Sequence, residues 1–479
     1  MKTYKIYFLA LLMGLMGCED ILDKEPLSSV SEAKAFQKIE DVDAALIGVY
    51  SSISRGSSGY AHFLNLEIPT ALSDNVVRIG NVKFSSNNIY DLSFAPVETV
   101  WQSDLIWNDF YTGIARANIV IRNIEGFGDG TQVERDNAKG EALALRGLLH
   151  FDLMRLYAPA YSEANRTALA VPYLKDISQD LVARNTMEEV FTYAIEDLED
   201  AADLLDDTHT SWRISKSAVQ AILSRVYLYK KEYSKVVAAA NEVIKLGKNS
   251  LVARDAYSDV WNDLDSEIDS EVIFRLRYTG AKNETASNGG IFFSGPSPFS
   301  PSGGYQFNPS PDLFALYNQS TDVRFSNLFE EDPAVPGTYG IVKYPGRAEL
   351  AGHPMFPKKA NDMKMIRMSE VYLNKAEALL KSGGSDSDIL STLNEIRSRR
   401  IEGFVSPNES GLALETAVYN ERRKELAFEG LRFYDLKRWN RALVRSGEEL
   451  LPANDYRFTF PLPYEELQRN TNLKQNPGY

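Results

Sequence analysis

The chain has 479 residues, with 52 Lys and Arg against 66 Asp and Glu for a formal charge of −14, and 44% of its residues are hydrophobic. That acidity argues against nucleic acid as a partner and against electrostatic adhesion to anionic lipid. With one cysteine no disulfide can form within the chain, so stability has to come from packing, for which the length is ample.

At the N-terminus Lys2 and Lys5 precede an apolar run, Ile6 to Met16, of 11 residues. A spanning helix needs about 20, so the run is too short for a transmembrane anchor and has the form of a secretory signal. Leu15-Met16-Gly17-Cys18 supplies a small-residue cleavage context and resembles a bacterial lipobox, in which the thiol is lipidated and becomes the new N-terminus. Residues 1–17 are expected to be a signal peptide, Cys18 the lipidation site and residues 18–30 an acidic tether. Cleavage would remove two lysines and no acids, leaving 50 basic against 66 acidic residues, a formal charge of −16. Attachment to a membrane would then run through the lipid alone, and stable anchoring needs more than one acyl chain.

The body begins with helical periodicity. Asp41–Tyr50 carries Val42, Ala45, Leu46 and Val49 on one face. Further helices are predicted over Trp107–Ile124, Glu134–Tyr157 and Thr186–Leu205, the last opened by Thr186 and Glu189 at capping-box spacing. In the long middle one Ala142, Leu145, Leu149, Leu153 and Leu156 fall at steps of three and four, and Pro159 and Pro172 mark the excursion after it. Ser215–Gly247 reads as a helix hairpin. Val219, Ile222, Val226, Tyr229 and Tyr233 make one stripe, Lys230-Lys231-Glu232 the turn, and Val237, Ala240 and Ile244 the returning face until Gly247 ends it. The pairing looks like a tetratricopeptide hairpin. Arg367–Arg399, turning at Ser382–Ser385, is a second candidate, and 134–157 with 186–205 a third, split by an insertion.

Between the hairpins the character changes. Glu271–Tyr278 alternates, with Val272, Phe274, Leu276 and Tyr278 on one face and Arg275 and Arg277 on the other, the pattern of a half-buried strand. Two stretches are irregular: Ser54–Trp101, and Ala286–Pro311, dense in Gly, Ser and Pro yet rich in aromatics. Long irregular segments in compact domains are usually functional or disordered, and the aromatic content favours order. The expected fold is therefore mainly α, a tetratricopeptide-like helix-hairpin scaffold with long irregular ligand-binding loops and a few short strands. The expected division is an N-terminal part, 31–250, holding loop 54–101, and a C-terminal part, 251–479, holding loop 286–311.

Three C-terminal segments are specific. They are Arg367-Met-Ser-Glu-Val-Tyr-Leu-Asn-Lys-Ala-Glu-Ala-Leu379, then Glu421-Arg-Arg-Lys-Glu-Leu-Ala-Phe-Glu-Gly-Leu-Arg-Phe-Tyr-Asp-Leu-Lys-Arg-Trp439, and the tail Phe460-Pro-Leu-Pro463 with Asn472-Leu-Lys-Gln-Asn-Pro-Gly-Tyr479. They resemble the helix, the signature and the ending of the SusD/RagB family, surface glycan-binding lipoproteins of Bacteroidetes. Weaker echoes at Cys18–Pro26, Trp107–Asn118 and Glu141–Tyr157 extend the resemblance over the mature chain.

The resemblance implies a non-enzymatic binder on the outer face of the outer membrane. Its partner would be a SusC-like TonB-dependent transporter, over which it works as a hinged lid capturing oligosaccharides before import. No cofactor is implied. A sugar ring offers C–H groups on its faces and hydroxyls around its rim, so aromatic rings stack on the faces while Asp, Asn and Arg satisfy the rim. Trp101, Tyr60, Phe292, Phe293 and Tyr305 are the candidate platform. Asp74, Asn75, Arg78 and Asn81 are the candidate rim groups. Trp107, Trp212 and Trp439 lie by helical motifs and are expected in the core. An alternative ligand is a peptide, as for RagB-like members of the same architecture, kept open by the Phe-rich 292–307 stretch. A scaffold for another protein alone, with no small ligand, is a further alternative.

Other chemistry is weighed against bland readings. Glu421, Glu425 and Glu429 share a helix face; a hydrolase would use two as acid and base, whereas the structural reading pairs them with Arg422, Arg432 and Arg438. The latter is preferred, so no catalytic residue is expected. His62, His150, His209 and His353 are scattered without metal-ligand spacing. Asp259, Asp263, Asp265, Glu267 and Asp269 could hold a structural calcium through oxygen ligands, but they lack the glycine and terminal Glu of an EF-hand loop, which favours a solvated loop.

Overall fold

The computed structural model describes residues 32–54, 68–78, 87–93, 101–177, 180–208, 210–264, 271–277, 307–333, 335–346, 361–446 and 448–479. Local capping chemistry sets the long helices. After α1 (Ile39–Ile53), α2 runs from Trp101 to Ile124, starting earlier than its apolar periodicity suggests. Thr131 and Glu134 cap α3 (Gln132–Tyr157) reciprocally, Glu134 accepting the Thr131 N–H at 2.7 Å. Thr186 and Glu189 open α4 (Met187–Leu204) the same way. The hairpin of α5 (Lys216–Lys230) and α6 (Tyr233–Leu246) turns at Lys231, with φ +66°, and Gly247 closes α6 at φ +67°. Both lie in the left-handed region where helices commonly end. Then α7 (Met368–Ser382) and α8 (Asp386–Arg397) join at Gly383, and α9 (Gly411–Glu425) and α10 (Arg432–Arg438) follow.

Three hairpins stack in chain order. α3 packs on α4, α5 on α6 and α7 on α8, while α4 meets α5 and α6 meets α7 across the joints. α1 and α2 cover one end of the array against α3, and α9 packs on α7 and α8 at the other. The mainly helical hairpin scaffold expected from the sequence is the one observed. Gly140 and Gly147 let α3 and α4 approach: a Cβ at the first would meet the Leu205 side chain at 2.7 Å, and one at the second the Ala194 carbonyl at 3.0 Å.

The stripe reading understates α3, for every residue from Glu141 to Tyr157 is buried. Polar groups in such a helix need partners. Arg146 grips Asp197 of α4 with two bonds, 2.7 and 2.6 Å, and Asn118 of α2 at 2.8 Å. Arg225 of α5 holds Glu370 of α7 the same way, at 2.6 and 2.7 Å. The first hairpin and the joint between the second and third thus each carry a buried ion pair as well as apolar packing.

Among the described residues the strands form two-stranded antiparallel ribbons: β1 (Val76–Arg78) with β3 (Phe307–Pro309), β2 (Val272–Leu276) with β6 (Met363–Arg367), β4 (Phe329–Glu331) with β5 (Tyr339–Ile341), and β7 (Leu443–Arg445) with β8 (Glu448–Leu451). β2 corrects the half-buried expectation. All five of its residues are buried, and Arg275 is fully enclosed, 3.9 Å from both Asp263 and Asp362. Internal carboxylates meet what alternation would have sent to solvent. Of the tryptophans expected in the core, Trp107 is there, while Trp212 and Trp439 are half-buried.

Candidate ligand-binding site

The β1–β3 ribbon joins the two irregular regions. Its register pairs Val76 with Pro309, Val77 with Asn308 and Arg78 with Phe307. Because the strands are antiparallel, the chain leaves β1 toward residue 79 and enters β3 from residue 306 at the same end of the ribbon. Asn81 is three residues and Tyr305 two residues of chain from that end. The ring of Tyr90 lies 5.5 Å from that of Phe307. Its hydroxyl accepts the Arg78 N–H at 3.1 Å, and its carbonyl takes an Arg445 bond at 2.8 Å.

The base of the ribbon is clamped by arginines of the C-terminal signature. Arg432 makes a two-pronged pair with Asp74, both bonds 2.7 Å. Arg423 donates to Asn75 Oδ1 and to the Asp74 carbonyl, both at 2.8 Å, and approaches Ser310 Oγ at 3.5 Å. Burial works to raise the Asp74 pKa, but the charges of Arg432 and Arg423 bring it below the usual carboxylate value. Buried Arg445, with backbone carbonyls as its partners, holds Ser73 at 2.8 Å and also Ala71. The Asp74 carboxylate is therefore spent on the scaffold, which corrects its assignment as a rim group, and Asn75 shares that duty. Arg78 retains an outward part: it reaches half-exposed Asp91 at 2.9 Å and lies over the Tyr90 ring at 4.9 Å.

The remaining predicted residues divide. Trp101 is the first residue of α2 rather than part of an irregular segment. Tyr60, Asn81, Phe292, Phe293 and Tyr305 lie outside the described residues, as does Cys18. What sequence reasoning missed is the clamp, since Arg423 and Asn75 are 348 positions apart and no spacing connects them.

Glu421 and Glu425 are buried on α9, and half-buried Glu429 lies past the helix end rather than on the same helix face; none has the partners expected. Glu421 meets Arg324 at 2.5 Å and Arg397 at 3.3 Å. Glu425 meets Arg324, Arg367 and Arg400 at 3.0, 3.2 and 3.1 Å. Glu429 meets Arg367 and Lys343, both at 2.7 Å. Arg422 goes instead to Asp435 and Asn374, Arg432 to Asp74, and Arg438 to Glu377. Burial opposes ionisation, yet Arg324, Lys424 and Arg397 pull the Glu421 carboxyl down to about 2, and Arg400, Arg367 and Arg324 hold Glu425 well below the usual range. A general acid needs its pKa raised instead. The charged positions of the signature are thus occupied by packing the chain together.

His150 is enclosed and neutral. Its Nδ1 faces the Arg146 carbonyl at 2.9 Å and its Nε2 accepts the Leu174 N–H at 3.0 Å, while burial pulls its pKa to about 3. Asp263, read as part of a solvated loop, is buried: its carboxylate takes Asn361 Nδ2 and the Asp362 N–H at 2.9 Å and pairs with Lys364. Asp265, Glu267 and Asp269 lie outside the described residues. Among the described residues no group of three or more His, Cys, Asp or Glu is placed to hold a metal, and no helix is long and apolar enough to cross a membrane.

Two family models match the chain. One, described as starch-binding and associating with the outer membrane, covers residues 20–228; the other, described as the SusD family, covers residues 334–459. SusD-like protein P2 of Formosa agariphila is 28% identical over 524 aligned positions, covering 100% of both chains. A solved SusD superfamily protein of Bacteroides thetaiotaomicron superposes with a TM-score of 0.79 at 28% identity, over 92% of this chain and 100% of its own. A solved Bacteroides vulgatus protein gives 0.80 at 26% identity, over 93% of this chain and 99% of its own.

Proposed function

The chain belongs to the SusD/RagB family, and from that premise we propose that it is a surface-exposed lipoprotein of the outer membrane, anchored through Cys18. It binds an oligosaccharide or polysaccharide without breaking a bond and passes it to a SusC-like TonB-dependent transporter. The observation that carries the ligand-site reading is the β1–β3 ribbon. It sets Arg78 of the 54–101 region opposite Phe307 of the 286–311 region, two stretches distant in sequence, and arginines of the family signature hold its base. Binding residues concentrate on loops held by rigid scaffolds. Tyr60 before β1 and Trp101 at the start of α2, with Phe292 and Tyr305 before β3, are the rings proposed to stack on sugar faces. Arg78 and Asn81 are the proposed rim contacts. Of the Phe-rich stretch that favoured a peptide, the described residue Phe307 is buried against Tyr90, so it forms part of the scaffold.

Calorimetric titration of the mature chain with a panel of polysaccharides, and in parallel with a peptide mixture, tests the proposal. Heat with at least one saccharide is expected; heat with peptides alone would replace the glycan by a peptide. Cys18→Ala should move the protein out of the membrane fraction, and retention there would remove the anchor from the scheme. Co-purification with an adjacent transporter tests the partner.

A further inference from the structure

The α5–α6 turn, the C-terminal end of α7, α9 and the residues after α10 enclose a surface cavity of about 410 Å³, whose Trp439 wall lies 5.8 Å from the Arg432 guanidinium that holds the ribbon base. Four cations line it, Lys231, Lys381, Arg438 and Arg441, against two carboxylates, Glu377 and Glu415. Both carboxylates are already spent. Glu377 is gripped by Arg438 at 2.5 and 2.7 Å and by Trp439 Nε1 at 2.7 Å. Glu415 pairs with Lys381 at 3.3 Å. Arg438 in turn also holds Asp435, at 2.8 Å. Among the described residues two of these cations, Lys231 and Arg441, are left without a carboxylate.

Neither is a freely swinging surface charge. Arg441 is laid over two rings, its guanidinium carbon 4.3 Å from the Tyr419 centroid and 5.2 Å from that of Trp439. Those rings are themselves locked edge to face at 4.5 Å. Lys231 sits at the left-handed residue that turns α5 into α6, which fixes where its side chain starts. Partial burial and the neighbouring Arg438 charge both pull its pKa below the ordinary lysine value, so an arriving anion would relieve an existing repulsion. This concentrated positive charge stands on a chain whose overall charge is strongly negative. Half-buried Tyr233 adds a hydroxyl to the wall, suited to a sugar hydroxyl.

We propose that this cavity is a second ligand subsite, which takes the carboxylate or sulfate of an acidic saccharide between Lys231 and Arg441. It rests on the saccharide reading above only for the class of molecule, and no residue of the ribbon lines it. Neutral glycans should gain nothing from it.

The test is calorimetric titration of the mature chain with oligogalacturonate, with a sulfated oligosaccharide, with a neutral oligosaccharide and with polyglutamate. Both Lys231→Ala/Arg441→Ala and the milder Arg441→Lys are compared, each checked by its melting curve. Both side chains are exposed, so the fold should survive. Binding of either acidic saccharide, weakened about tenfold or more in the double variant and lessened by added salt, is the expected result. The two acidic probes tell carboxylate from sulfate. Acidic saccharide binding indifferent to the double variant, no acidic saccharide binding, or binding of polyglutamate alone would each overturn the subsite. Any neutral glycan bound elsewhere should be unchanged by these variants, which separates failure here from failure of the ribbon proposal.

Discussion

Glu425→Gln separates a structural glutamate from a working one. Glutamine keeps the shape but removes the charge that faces Arg324, Arg367 and Arg400 at 3.0 to 3.2 Å in a fully buried setting. Breaking a buried ion pair by removing one partner costs about 3–5 kcal/mol. The lower end applies here, because Glu421, Glu271 and Glu429 still face the same arginines. Unfolding entropy of about 2.1 cal/mol/K per residue gives roughly 1 kcal/mol/K for the mature chain, so about 3 kcal/mol is a fall of about 3 °C in Tm if the chain melts in one transition. Scanning calorimetry at neutral pH measures it, beside glycan affinity well below the melt, which should not change. The folded carboxyls of Glu421 and Glu425 titrate below the unfolded value near 4.5. Their stabilisation is thus complete above that value and is lost as pH falls through the folded ones, about 2 for Glu421. The gap between wild type and variant should accordingly be steady from pH 7 to 5 and close on further acidification. An unchanged Tm combined with loss of ligand handling would refute the reasoning and return Glu425 to a functional role.

Asp74→Asn should loosen the ribbon without removing a ligand contact: amide exchange at residues 75–78 and 307–310 rises, by about tenfold or more, while α3 is unaffected. Equal exchange in the variant would show that the Arg432 pair does not hold the ribbon. Lys437 is buried with two backbone carbonyls, those of Arg155 and Ala158, as acceptors, and burial followed by the Arg155 charge pulls its pKa to about 7. Between pH 7 and the unfolded value near 10.5 the unfolded chain binds the extra proton, so stability should rise with pH across that window. Lys437→Met should flatten that part of the profile, and a persisting slope would place its origin elsewhere.

The helical scaffold was legible because its signals are local. Thr186 and Glu189 announce a cap, Lys230-Lys231-Glu232 and Gly383 announce turns, and the structure places helices around each. Charged positions were read less well, since alternation assigns Arg275 to solvent while the carboxylates that receive it arrive from residues 263 and 362. The same limit misdirected Glu421, Glu425 and Glu429, whose arginine partners Arg324, Arg367, Arg397 and Arg400 come from other elements, while their own motif supplies Lys424 to Glu421. Asp74 looked like a polar loop residue because Arg432, 358 positions later, leaves no trace near it. Ion pairing across hundreds of residues is a tertiary property, and periodicity carries no information about it. The family motifs did indicate that these residues matter; the structure supplies the physical reason.

The most direct test of the ribbon as the saccharide site is hydrogen exchange of the mature chain with and without a glycan that binds it. Protection confined to peptides spanning residues 54–101 and 279–310, and weakened by Tyr60→Ala or Tyr305→Ala, is the predicted result. Protection that avoids both segments while the glycan is demonstrably bound would contradict the account.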